Sequence, residues 1–95
     1  MIYTPLYDPR VLAEDFPGLP KTVKSRVKKA IESRLLTRPE IYGKPLRSTL
    51  KNNRKLRVGD YRVVFGIQKN KVIIWAIGHR SVIYAIALKR LLVGL

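Results

Sequence analysis

Phosphate chemistry is the theme of the residues between Lys44 and Arg62. Lys44, Arg47, Lys51, Arg54, Lys55, Arg57 and Arg62 fall in this stretch against a single acid, Asp60. Guanidinium groups bind phosphate oxygens in pairs and keep their charge at any working pH, whereas ammonium groups bind them as point charges. These cations interleave with Leu46, Leu50, Leu56 and Val58, the pattern of an extended segment with one buried and one basic face. Within 54–65, Leu56 and Val58 share one side and Lys55 and Arg57 take the other. Gly59-Asp60 makes a turn, after which Tyr61, Val63, Phe65 and Ile67 line one face and leave Arg62 with Val64 on the other. An Arg in so apolar a strand points to an anionic partner. By themselves these residues imply phosphate binding and nothing more specific.

The whole composition agrees. The chain has 20 Lys and Arg against 6 Asp and Glu, a net charge of +14 and an isoelectric point near 10.7. That exceeds the roughly 2–8 charges usual for a small domain, so the expected partner is a polyanion: nucleic acid or the ribosome first, an acidic protein or a membrane surface second. A nucleic acid and a protein partner are compatible with each other. With no cysteine and one His, a disulfide framework, a thiolate nucleophile and a His-rich metal site are excluded, and neither metal nor cofactor is expected. No run approaches the roughly 20 apolar residues of a membrane span, and residues 1–5 lack a charged start followed by an apolar signal core. The expectation is a soluble, cytoplasmic protein with no membrane partner, its 95 residues forming one domain, 1–95.

The elements that must position the cations follow from periodicity. Residues 2–7 are β-formers interrupted by Pro5, which fits an edge strand. Asp8-Pro9 reads as an N-cap followed by proline at the first helical position, opening a short helix to about Phe16. Residues 17–20, with two prolines and a glycine, form a turn. A second helix starts near Lys21 with Val23, Val27, Ala30, Ile31 and Leu35 as its apolar stripe. Lys21, Lys24, Arg26, Lys28, Lys29 and Arg34 fill its remaining faces, either as a solvated surface or as phosphate ligands, and Lys28 and Glu32 are spaced for a weak ion pair. Thr37-Arg38-Pro39 ends this helix, and a loop runs through Gly43-Lys44-Pro45. Residues 68–71 form a hairpin loop. The run 72–77, apolar on both faces, is the central strand. Residues 82–92 are helix-length and apolar around most of the circumference, so this terminal helix needs cover. The fold class is α+β: a small, mostly antiparallel sheet packed against two N-terminal helices, with a C-terminal helix, the helices lying on one face of the sheet.

Three groups of residues, taken at their separations, carry a resemblance to a known family. Lys44-Pro45-Leu46-Arg47, the segment 56–65 and Gly78-His79-Arg80 followed by Tyr84 resemble the RelE/ParE toxin superfamily, in its RelE branch, over nearly the whole chain. The resemblance implies the toxin of a type II toxin–antitoxin pair, an endoribonuclease that cuts mRNA in the ribosomal A site without a metal, partnered by an acidic RelB-like antitoxin. It implies catalytic roles for Lys55, Arg62, Arg80 and Tyr84, and RNA contacts from Lys44, Arg47, Lys51, Arg54, Arg57 and His79. Some members carry a Lys where this chain has Asn53, a departure that removes one cation unless Arg54 or Lys51 replaces it. A gyrase-inhibiting, ParE-like toxin without nuclease activity and a non-catalytic RNA-binding module are the alternatives.

The implied chemistry is consistent with the residue types. Metal-free RNA cleavage requires the 2′-OH to lose its proton, the phosphorane charge to be stabilised and the departing 5′-oxygen to gain a proton. Arg62 and Arg80 suit the charge, and Lys55 and Tyr84 are the groups left to move protons, with acid and base unassigned. Each residue has a structural alternative: Arg62 as a sheet cation, Lys55 as a solvated side chain, Tyr84 as part of the packed helix face, Arg80 as a strand-end residue and His79 as a hydrogen-bonding one.

Overall fold

The computed structural model describes residues 3–46 and 52–93. Five strands form a mixed sheet in the order β1-β5-β4-β3-β2: β1 (Thr4–Tyr7), β2 (Lys44–Pro45), β3 (Arg54–Val58), β4 (Tyr61–Gln68) and β5 (Lys71–His79). β1 runs parallel to β5, and every other pairing is antiparallel. The helices are α1 (Lys21–Ala30), which continues as a π-helical turn through Ile31–Leu35, then α2 (Pro39–Tyr42) and α3 (Ile83–Val93). A second π-helical turn, Val11–Asp15, follows β1.

Local chemistry explains these boundaries. The Asp8 carboxylate accepts the Arg10 backbone N–H at 2.8 Å, the role expected of an N-cap side chain. Pro39 opens α2, its fixed φ and missing N–H costing nothing at a first helical position. The sequence reading had only a loop in this region, because four residues are too short for a periodic signal. Gly59 takes φ +60° in the two-residue connection of β3 to β4, the first central position of a primed hairpin turn, where glycine is favoured.

The sheet buries both faces. On one, Val63, Phe65, Val72, Ile74 and Ile77 pack with Leu56 and Val58 against Val27, Ala30, Ile31 and Leu35 of the α1 stripe. On the other, Val64 and Ala76 pack with Leu46 against Ile83 and Ala87 of α3. The placement of all helices on one face is therefore corrected. A terminal helix apolar on most sides needs a surface of its own, and Val64 and Ala76 provide it. A register shift between Val64 and Phe65 leaves Trp75 as an extra residue in β5, so that Ala76 opposes Val64 and Ile74 opposes Phe65. The Lys28–Glu32 pair is not formed. Among the described residues the ion pairs are Arg10–Asp8 and Arg90–Asp15.

Arg90–Asp15 is the contact that fastens α3 to the body. Arg90 Nη1 and Nη2 donate to the two Asp15 carboxylate oxygens at 2.6 and 2.8 Å. Asp15 also accepts the Ile77 N–H at 2.9 Å, and Arg90 Nη1 donates to the Trp75 carbonyl at 3.0 Å. One buried charge pair thus joins the π-helical turn Val11–Asp15, β5 and the second half of α3.

Candidate active site

Strand register gathers the cations on the face that carries α3. Successive side chains of a strand alternate in direction, so Lys55 and Arg57 share that face with Arg62 and Val64. Lys44 lies opposite Lys55, and Arg57 opposite Arg62. Like charges directly opposed across a sheet are destabilising, yet two such pairs stand in adjacent rows here. Arg62 then faces Gly78 on β5. Gly78 lies under the first turn of α3, where a Cβ would come within 3.4 Å of Ile83 Cδ1.

That first turn brings Tyr84 to Lys55. The Lys55 ammonium lies 5.3 Å from the centroid of the Tyr84 ring, within cation–π range. Both residues are half-buried. Arg62 is oriented by backbone carbonyls: its Nη1 donates to Gly59 O and Tyr61 O, each at 2.9 Å. Its other guanidinium donors have no protein partner among the described residues. Tyr42, Lys44, Lys55, Arg57 and Arg62 together line a cleft of about 220 Å³, large enough for a phosphate and part of its nucleotide. No acid lines it.

The remaining sequence candidates divide. Arg80 stands exposed just past the end of β5, and its backbone N–H donates to Asp60 O at 2.8 Å, fixing it beside the Gly59-Asp60 turn and the start of β4. Arg54 is on the opposite face with Leu56 and Val58, and its Nη1 donates to Gly43 O at 2.9 Å and Glu40 O at 3.3 Å. It clamps the end of α2, so the structure does not bring it together with the cleft cations, and it lies on the face away from the one that Asn53 shares with Lys55. His79 pairs with Tyr61 in register and so also points away from the cleft. Its ring meets Tyr61 edge to face at 5.4 Å, and Nδ1 lies 2.8 Å from Ser81 Oγ and accepts the Ser81 N–H. These contacts are the hydrogen bonding that its structural alternative expects. Arg47 and Lys51 lie outside the described residues.

Tyr42 is the cleft residue that sequence reasoning missed. It is 46% exposed, and the Arg34 guanidinium carbon is 5.9 Å from its ring centroid. The signal available was Pro39, whose preference for a helix start would have placed Tyr42 at the end of a short helix immediately before Lys44.

Among the described residues no three His, Asp or Glu side chains gather as a metal site would require, and no helix is long and apolar enough to cross a membrane.

Residues 9–84 match the family described as the ParE toxin of the type II toxin–antitoxin system parDE. The Toxin RelE of Mycobacterium tuberculosis is 36% identical over 74 residues, spanning 76% of this chain and 76% of its own. The isolated RelE toxin of E. coli superposes with a TM-score of 0.69 at 30% identity, covering 93% of this chain and 97% of that one. A chain of the RelBE2 toxin–antitoxin complex from Mycobacterium tuberculosis gives a TM-score of 0.77 at 28% identity, covering 84% and 100%. An E. coli RelE mutant in complex with a peptide of the antitoxin gives 0.67 at 30% identity, covering 95% and 98%.

Proposed function

Because the chain belongs to the RelE/ParE family of type II toxin–antitoxin toxins, we propose that it is a metal-independent endoribonuclease that cuts mRNA on the ribosome. The observation that carries this reading is Lys55, which shares a cleft with Arg57 and Arg62 and whose ammonium lies 5.3 Å from the Tyr84 ring centroid. Lys55 lines that cleft with the charge-stabilising arginines, and Tyr84 reaches it through its contact with Lys55.

In the proposed reaction the scissile phosphate sits against Arg62, whose orientation is set in advance by the Gly59 and Tyr61 carbonyls. Preset donors cost no reorganisation as charge develops. The 2′-oxygen attacks phosphorus, the bond to the 5′-oxygen breaks, and a cyclic phosphate forms. One of Lys55 and Tyr84 takes the 2′-OH proton, and the other protonates the leaving 5′-oxygen. Arg57 in the cleft, and Arg80 beside the Gly59-Asp60 turn, add positive potential to the dianionic phosphorane. Asn53, two residues before Lys55, leaves this chain one cation short of some relatives, and Arg54 lies on the opposite face of β3.

The protein partner of this reading is an acidic, RelB-like antitoxin, in keeping with the RelE–antitoxin complexes among its structural relatives. Val82 at 48% and Leu92 at 65% exposure leave apolar surface on and beside α3 for such a chain to cover. Coexpression with an antitoxin of this kind raises solubility on this reading, and unchanged solubility opposes it.

The deciding experiment adds the purified protein to a translation reaction and maps mRNA ends. Cuts at ribosome-occupied codons are expected, with Arg62→Ala slower by about 10²–10³-fold, the usual cost of one charge-stabilising donor. Uncut mRNA, or undiminished cutting by Arg62→Ala, refutes the reading. The match to the ParE description favours one alternative, inhibition of DNA gyrase without nuclease activity. A supercoiling assay separates the two, since gyrase inhibition with intact mRNA reverses the assignment.

A further inference from the structure

A second basic cleft lies on the other side of β3. It measures about 450 Å³ and is lined by Arg26, Lys29, Ser33 and Arg34 of the α1 helix and its π-helical extension, and by Arg57 and Gly59 of the β3 hairpin. No acid lines it. The solvated-face alternative for the α1 cations accounts for their exposure, but not for their convergence on a concave surface shared with the candidate active site.

Two links make the clefts continuous. The first is Arg57, which lines both. β2 pairs only with Arg54 and Lys55, so beyond Lys55 strand β3 is a sheet edge, and a side chain there is reached from either face. The second is the contact of Arg34 with the Tyr42 ring, since Arg34 belongs to one cleft and Tyr42 to the other. An exposed aromatic ring between two cationic clefts is the arrangement that accommodates single-stranded nucleic acid, because bases stack on the ring while successive phosphates meet the cations.

The geometry points to a track for single-stranded RNA that leaves the catalytic cleft over Tyr42 and Arg57 and continues into the α1–β3 cleft, where Arg26, Lys29 and Arg34 bind phosphates flanking the scissile one. This rests on the nuclease reading for the identity of the strand, and it adds a subsite that the cleavage chemistry does not need. RNA is favoured over an acidic peptide because the track passes an aromatic ring and is continuous with a phosphate-sized space.

Binding of a uridine dodecamer and of a uridine trinucleotide is measured across a salt series for the wild type, Arg26→Gln/Arg34→Gln and the charge-matched control Lys28→Gln/Lys89→Gln. Each lost phosphate contact reduces the salt slope for single strands by about 0.7, so the cleft variant lowers the dodecamer slope by about 1.4. The control leaves it near the wild-type value, and trinucleotide binding changes little in either variant. Equal slopes for the two variants overturn the proposal. It is also overturned if the cleft variant binds dodecamer like the wild type and instead loses affinity for a polyglutamate peptide, which makes the cleft an acidic-peptide site. The readout needs no cleavage: uncut mRNA with a lowered slope removes the nuclease reading and keeps the subsite, whereas cut mRNA with an unchanged slope does the reverse.

Discussion

Replacing Arg90 by Met tests whether a single buried ion pair holds α3, and with it Tyr84, against the sheet. The two side chains are only 7% and 6% exposed, so Asp15 without Arg90 is a carboxylate left in the interior with the Ile77 N–H as its one protein donor among the described residues. Breaking a buried pair from one side costs about 3–5 kcal/mol, a large part of the roughly 5–15 kcal/mol that holds a small domain together. Asp15→Leu is expected to cost more, because it strands the Arg90 guanidinium and also orphans the Ile77 N–H, which adds about 1–3 kcal/mol. In Asp15→Leu/Arg90→Met no charge remains buried, so the double variant is expected to be more stable than Asp15→Leu alone by about 3 kcal/mol. Urea denaturation reads this directly: at a slope of about 1–3 kcal/mol per molar, the midpoints differ by roughly 1–3 M. If Arg90→Met shifts stability by less than about 0.5 kcal/mol, as an ordinary surface substitution does, or if the two single effects add, the account of the latch is refuted.

Three further outcomes are expected. Hydrogen bonds from the Arg10 side chain hold the Asp8 carboxyl below its ordinary 3.8, against the opposing effect of burial. The resulting stability is complete above that value and is lost as pH falls through the lower folded-state pKa, so the acid limb of a urea-midpoint profile is shallower in Asp8→Asn than in the wild type. Gly43→Ala places a Cβ 2.3 Å from Phe65 Cζ, and because Phe65 is fully buried the overpacking costs about 1–3 kcal/mol by thermal or urea unfolding. Lys69 sits at φ 56° in the β4–β5 turn, a conformation glycine adopts without a Cβ penalty; Lys69→Gly is expected to raise stability by about 0.5–1 kcal/mol in the same assay.

What the sequence revealed was whatever repeats with the period of one element. The β3 and β4 alternation put Leu56, Val58, Val63 and Phe65 on one face and Lys55, Arg57 and Arg62 on the other, and the structure keeps that division. The stripe from Val23 to Leu35 packs as its spacing predicts. The same alternation puts Arg54 on the side of Leu56, so its separation from the cleft is legible in the sequence. Contacts between distant elements carry no such period. Asp15 and Arg90 are 75 residues apart, and neither has neighbours that distinguish a buried charge from a solvated one. The side of the sheet that α3 covers is set by its packing on Val64 and Ala76, and the register shift that brings Ala76 opposite Val64 does not alter the hydropathy pattern. Tyr42 escaped because a four-residue helix is shorter than any window in which periodicity can be seen.

The distribution of the acids shows how the fold sustains so many opposed cations. Asp8 and Asp15 are held by Arg10 and Arg90, both remote in register from the Lys55 rows. Glu40 engages the Tyr3 hydroxyl, and Asp60 gives its backbone carbonyl to Arg80. None of them lines either basic cleft. Lys44 against Lys55 and Arg57 against Arg62 therefore stand without a protein counter-ion in either cleft, and their mutual repulsion is a cost to the free chain. Burial of Val64, Ala76, Ile83 and Ala87 beneath α3, secured by Arg90, offsets it. An anion entering the cleft relieves this repulsion, so a polyanionic ligand that binds the cleft more tightly than it binds the unfolded chain stabilises the fold by mass action. The same argument makes neutralising the cleft cations with carboxylates an effective means of inhibition. An acidic chain that did so would remove the positive potential a phosphate needs, and in the same step stabilise the protein it silences.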